Sequence, residues 1–134
     1  MVCIYCGADT QVINSRLQKK ANRVWRRRKC VSCQGLFTSL EGVDYPTSLL
    51  LKKDGKRVEP FQRDILFVSV YESCKHRKHA TEAAGALTDT ILGKLRPHIH
   101  NATLARTDVI SVASEVLKRF DKAAYTAYLA YHPL

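Results

Sequence analysis

The sequence predicts an α+β protein in two parts: a small N-terminal ribbon built on cysteines, then a β-hairpin joined to a helical bundle. Three observations carry this. Two C-x-x-C pairs, Cys3/Cys6 and Cys30/Cys33, stand 23 residues apart near the N-terminus. An Asp54-Gly55 dipeptide separates two short segments of extended character. From Gln62 onward, apolar residues recur at helical spacing. A length of 134 residues accommodates a ribbon and one small domain.

The cysteine pairs come first. Two residues between paired cysteines let both thiolates point at one ion, and Gly7 and Gly35 free nearby backbone amides to face the sulfurs. Four thiolates complete a tetrahedral shell and leave no position for a reactive water, so Cys3, Cys6, Cys30 and Cys33 are expected to hold one structural zinc ion. Disulfides are the competing use of such pairs. The cysteine count is odd, at five, and residues 1 to 15 contain no apolar run of a secretory signal, which favours reduced thiols and a cytoplasmic location. Cys74 lies at helical spacing from Phe67, Val70 and Tyr71 and reads as a small buried hydrophobe.

The segment between the knuckles is strongly basic. Of the formal charge of +10, residues 1 to 41 carry +6 and residues 42 to 134 carry +4. Arg16, Lys19, Lys20 and Arg23 precede the run Trp25-Arg26-Arg27-Arg28-Lys29, which abuts the ligand Cys30 and is therefore held on a fixed backbone. Such a field attracts phosphate backbones, and arginine forks suit phosphate or the O6/N7 edge of guanine. A merely solvated charged face is the plainer alternative. Trp25, the only tryptophan, either covers the ribbon's small core or stacks on a base, and core is the favoured use.

After residue 41 the stretch 42–48, opening Gly42-Val43-Asp44-Tyr45-Pro46, breaks regularity and reads as a linker to a domain over 49–134. Leu49 to Lys53 and Lys56 to Phe61 flank Asp54-Gly55 as a tight hairpin in which both central residues want positive φ, with Pro60 ending the second strand. Helices follow: one from Gln62 to about Lys75, one carrying Ala84, Leu87, Ile91 and Leu95, one carrying Val109, Ala113, Val116 and Phe120 after a cap-like Thr107-Asp108, and one over Asp121 to Tyr131. His76, His79, His98 and His100 read as loop or surface residues. No P-loop, H-E-x-x-H or G-x-S-x-G occurs and nothing suggests a triad, so an enzyme is not expected. No segment has the apolar length of a membrane span.

These residues also carry a resemblance. The first C-x-x-C, Val12-Ile13-Asn14-Ser15-Arg16, Arg26-Arg27-Arg28-Lys29-Cys30-x-x-Cys33 and Leu36-Phe37-Thr38-Ser39-Leu40-Glu41 occur in the order found in the zinc ribbon of the NrdR family, bacterial repressors of ribonucleotide reductase genes. Lys52-Lys53-Asp54-Gly55 with Glu59-Pro60-Phe61, and later Phe120-Asp121-Lys122-Ala123-Ala124-Tyr125, resemble the ATP-cone domain that follows the ribbon in that family. The resemblance implies a homo-oligomeric repressor whose ribbon binds double-stranded operator DNA and whose cone binds ATP or dATP. It implies DNA contacts from Arg16, Arg23, Arg26, Arg27, Arg28 and Lys29, and nucleotide contacts from Lys52, Lys53 and Glu59. The chain departs from the family pattern at Ile65 and Ala127, which stand where the cone usually carries lysine and arginine, and at Ile4, where the first knuckle favours proline. Two other roles fit the same parts: an interaction module with a cone that no longer senses nucleotide, or a regulatory subunit docking on the reductase.

Overall fold

The computed structural model describes residues 1–131, so the last three residues of the expected second domain lie outside the described residues. The chain forms two compact units that divide between Val43 and Asp44.

The first unit is a three-stranded antiparallel sheet of β1 (Thr10–Gln18), β2 (Arg23–Cys30) and β3 (Leu36–Glu41), with β2 in the centre. The β1–β2 turn closes through Asn22 at φ +47°, a left-handed conformation that asparagine tolerates better than most residues. β1 carries one extra residue, Ile13, because Val12 pairs with Arg28 and Asn14 with Arg27. Burial in this unit is confined to Cys3, Cys30 and Phe37 among its apolar side chains. Tyr5 sets its ring edge-on to Phe37 and donates its hydroxyl to the Leu36 carbonyl at 3.0 Å. Three buried side chains do not make a self-sufficient core, and units of this size generally need a metal or a crosslink.

The second unit begins with a short helical turn, α1 (Tyr45–Ser48), so part of the expected 42–48 linker is ordered structure: Tyr45 packs edge-on against Phe61, and Leu49 is buried. β4 (Leu50–Lys52) pairs antiparallel with β5 (Val58–Pro60), and β5 ends at Pro60 as expected. The tight Asp54-Gly55 turn does not form. The Lys53 amide donates to the Arg57 carbonyl at 2.8 Å across a longer loop, and only Gly55 has positive φ, at +70°.

Helices α2 (Arg63–Cys74), α3 (Ala80–Leu95), α4 (Arg106–Phe120) and α5 (Lys122–Tyr131) supply the bulk of the unit. α2 packs on α3 and α5, and α4 packs on α3 and α5, closing a ring. Val70, Cys74, Ala84, Ile91, Ala113, Leu117 and Ala124 are wholly buried at its centre. Burial of each larger aliphatic side chain contributes about 1.5–3 kcal/mol. Thr88 and Ser114 are buried without cost to hydrogen bonding, because each hydroxyl donates to a carbonyl one turn earlier, Ala84 and Ile110.

Two features escaped the sequence pattern. β6 (Thr103–Ala105) pairs in parallel with β4, giving the sheet order β5-β4-β6. Three residues are too few for alternation to register, and the preceding left-handed Asn101 and Ala102 hide the approach. α4 starts at Arg106 from the extended Ala105, so Thr107-Asp108 lies inside the first turn and does not cap it.

Candidate metal centre, basic sheet and cavity

The four thiols expected as zinc ligands meet at one end of the ribbon sheet. Sγ atoms of Cys3, Cys6, Cys30 and Cys33 all lie within 4.8 Å of one another, with Cys3–Cys33 at 3.7 Å and Cys6–Cys30 at 3.5 Å. A tetrahedron of thiolates at a zinc–sulfur distance near 2.3 Å has sulfur–sulfur edges of about 3.8 Å, so the cluster fits that ion. The knuckle backbones turn amides onto the sulfurs: Tyr5 to Cys3 at 3.3 Å, Ser32 and Cys33 to Cys30 at 3.3 and 3.4 Å, and Gly35 to Cys33 at 3.4 Å. These four cysteines form a zinc-ribbon site for one structural Zn2+.

The thiols are electrostatically unequal. Burial pushes the Cys30 thiol up, but amide hydrogen bonds from Cys33 and Ser32 and thiol contacts from Cys6 and Cys33 outweigh it and bring it down to about 6. At Cys33 the Gly35 amide favours the thiolate, while burial and the three neighbouring sulfurs oppose it and push the group up to about 12. One thiolate among crowded thiols disfavours the next, and a dication resolves that conflict by taking all four. Cys74 stands apart: its thiol is buried, donates to the Val70 carbonyl at 3.1 Å and is pushed up by burial.

The arginine run is divided by the strand that carries it. Side chains alternate along β2, so Arg23, Trp25, Arg27 and Lys29 share one face while Arg26 and Arg28 share the other with Cys30. Arg16, opposite Trp25 on β1, joins the first face and lays its guanidinium 5.7 Å from the Trp25 ring centroid. On that face Arg23 donates to Gln18 Oε1 at 2.7 Å and Arg27 to Thr38 Oγ1 at 3.2 Å. On the opposite face Arg28 is engaged twice, by Ser39 Oγ at 2.9 Å and Thr10 Oγ1 at 3.3 Å, and Arg26 pairs with Glu41 at 3.6 Å. Of the six candidate DNA-contact residues, Arg16, Arg23, Arg27 and Lys29 are thus brought together around a half-buried Trp25, and Arg26 and Arg28 are not.

The second unit contains a cavity of about 290 Å³ between the hairpin and helices α2, α4 and α5. Leu51, Phe61, Leu66, Val109 and Ile110 make its apolar wall. Lys53 and Glu59 line it, paired at 2.6 Å, whereas Lys52 does not: it follows Leu51 on β4 and falls on the other face of the sheet. Ile65 lines the cavity at the position where lysine was expected from the resemblance, and Arg106 lines it without having been anticipated. Its signal was hidden because β6, which delivers it, is three residues long. Tyr128 closes the inner end, its phenol pushed up to about 12 by burial against the opposing influence of a Ser69 hydrogen bond and the Arg106 charge.

At the start of α5, Asp121 ties that helix to the turn between α2 and α3. It accepts from His76 at 2.9 Å and Arg77 at 3.2 Å, and its other oxygen accepts the Ala123 and Ala124 amides at 2.8 and 3.3 Å. The His76 hydrogen bond, with the two amides, holds its carboxyl down at about 2. His76 is therefore a surface residue with a structural partner.

Residues 1–41 match the family described as transcriptional repressor NrdR-like, N-terminal domain. A protein named transcriptional repressor NrdR from Symbiobacterium thermophilum is 33% identical over 132 residues, covering 98% of this chain and 87% of the relative. Proteins of the same name from Pelotomaculum thermopropionicum and Streptococcus pneumoniae are each 33% identical, again over 98% of this chain, and over 79% and 83% of their own lengths.

Proposed function

The chain belongs to the NrdR family of transcriptional repressors, and from that premise we propose that it is a DNA-binding repressor of ribonucleotide reductase genes controlled by ATP or dATP through its oligomeric state. It acts on DNA in the cytoplasm, as a regulator and not an enzyme. The observation that carries the reading is the basic face of the ribbon, where Arg16, Arg23, Arg27 and Lys29 surround Trp25.

The basic face is formed by β1 and the central strand β2 of a three-stranded sheet, a surface that can lie along a duplex and meet its phosphates. With Trp25 half-covered by Arg16, the face offers cations at strand spacing to those phosphates. Arg28 and Arg26 serve the opposite face, tying β2 to β1 and β3, so their contribution to DNA binding is indirect. The zinc fixes the sheet and takes no part in chemistry. Nucleotide in the second unit changes the assembly, and the assembly changes how many ribbons meet paired operator sites; the coupling requires that nucleotide prefer one assembly over the other.

Fluorescence anisotropy on a duplex from upstream of the reductase genes, with and without ATP and dATP, tests this. Salt-dependent duplex binding that shifts with nucleotide is expected, and equal affinity for duplex and single strands irrespective of nucleotide would overturn it. Ile65 on the cavity wall favours a second reading, a cone that serves as scaffold while the ribbon binds nucleic acid or protein constitutively. Sedimentation unchanged by millimolar nucleotide would select that reading, and co-sedimentation with the reductase would select docking on the enzyme.

A further inference from the structure

The cavity's wall carries three charged side chains, Lys53, Glu59 and Arg106, against a predominantly apolar lining. Glu59 is matched by Lys53 at 2.6 Å within the cavity itself. The Arg106 guanidinium is held differently: its nearest carboxylate is Asp54 at 3.9 Å, on the hairpin loop, with a side chain 96% exposed. A loose ion pair whose carboxylate is almost wholly in solvent contributes little and is readily exchanged for another anion. The parallel register explains why the two cations meet. Lys52 pairs with Ala105, so the next residue on each strand, Lys53 and Arg106, leaves the sheet at the same end.

An apolar pocket with cations at one edge suits a ligand that is flat and apolar in one part and polyanionic in the other. Resting on the nucleotide-controlled reading above, we propose that Arg106 is a binding residue for the polyphosphate of an adenine nucleotide in this cavity, acting with Lys53, and that Asp54 competes with the ligand for it. Arg106 grips two phosphate oxygens with its planar fork, and Lys53 adds a point charge. The cation then enters from the start of α4, offsetting the apolar Ile65 on α2. Asp54, released, leaves the hairpin loop free of its contact to α4.

The test is calorimetry on the zinc-loaded full chain with ATP, adenosine and inorganic triphosphate, comparing wild type with Arg106→Ala, Arg106→Lys and Asp54→Ala, all with thermal melts to check folding. Arg106→Ala is expected to weaken ATP by about ten- to a hundredfold, the range of a charge-assisted hydrogen bond, and to leave adenosine unchanged. Arg106→Lys recovers part of the loss, and Asp54→Ala tightens ATP. Wild-type ATP affinity in Arg106→Ala, or equal losses for ATP and adenosine, overturns the role of Arg106 while the sensing reading stands. Triphosphate binding as tightly as ATP supports Arg106 and removes the adenine from the reading. No ATP binding by the wild type overturns both.

Discussion

At Gly35 the sequence position and the metal site constrain each other. A Cβ there would lie 2.6 Å from the Tyr5 ring and 3.1 Å from Cys33 Sγ, and Tyr5 is itself held by its hydrogen bond to Leu36. Gly35→Ala is expected to displace Tyr5, loosen the second knuckle and lower zinc affinity, read by competition with a chromogenic chelator, while the melting of the second unit is unchanged. An unaltered zinc affinity would mean that Tyr5 swings aside freely. The four ligands were legible in the sequence because two C-x-x-C pairs constrain chemistry whatever the surrounding fold. Lys52 and Lys53 were not separable there: adjacent residues on a strand face opposite ways, and a strand of three residues leaves no alternation to show which way each points. Arg106 had no local signature at all, since its place depends on pairing with a strand far away in sequence.

Among the elements, β2 converts a run of like charges into two surfaces with different work. Arg16→Ala and Arg27→Ala are expected to weaken duplex binding and each lower the salt slope by about 0.9 if one phosphate contact is lost. Arg28→Ala removes two hydrogen bonds across the sheet and is expected to destabilise the ribbon, with the salt slope retained. Measuring log K against log salt for the three variants separates these roles, and a lower slope for Arg28→Ala alone would exchange the faces. In the sequence the run reads as one basic block, and only the strand period divides it. The helices were more legible: Ala84, Leu87, Ile91 and Leu95 are all buried, as their spacing implied. Where the α2–α3 turn meets α5, the His76 hydrogen bond holds the Asp121 carboxyl at about 2, below the ordinary aspartate value of about 3.9. A depressed carboxyl stabilises the fold fully above about pH 4 and loses that contribution as pH falls toward 2. Asp121→Asn is expected to lower the melting temperature at neutral pH and to flatten its fall between pH 4 and 2, followed by circular dichroism; a fall as steep as the wild type's would assign the acid sensitivity to other carboxylates.

For the molecule as a whole, the two units differ in what holds them. Besides the ligand cysteines Cys3 and Cys30, the ribbon buries only the apolar side chain of Phe37, whereas the second unit encloses a continuous helical core. Chelation of zinc is expected to unfold residues 1–43 and abolish DNA binding while the helical circular dichroism signal persists, because metal binding supplies much of a small module's folding energy. Simultaneous loss of both signals would show that the units fold as one.

The parallel pairing of β4 with β6 has a consequence for how the chain comes into being. Everything the ribbon sheet needs is present once residue 41 has been made, and zinc can seal it there. The second sheet cannot be completed until Thr103–Ala105 has been synthesised to lie beside Leu50–Lys52, and contacts so distant in sequence form late. On a ribosome the DNA-facing part therefore matures first, and the part assigned to regulation closes only once residues 103–106 have been made, when Arg106 arrives beside Lys53.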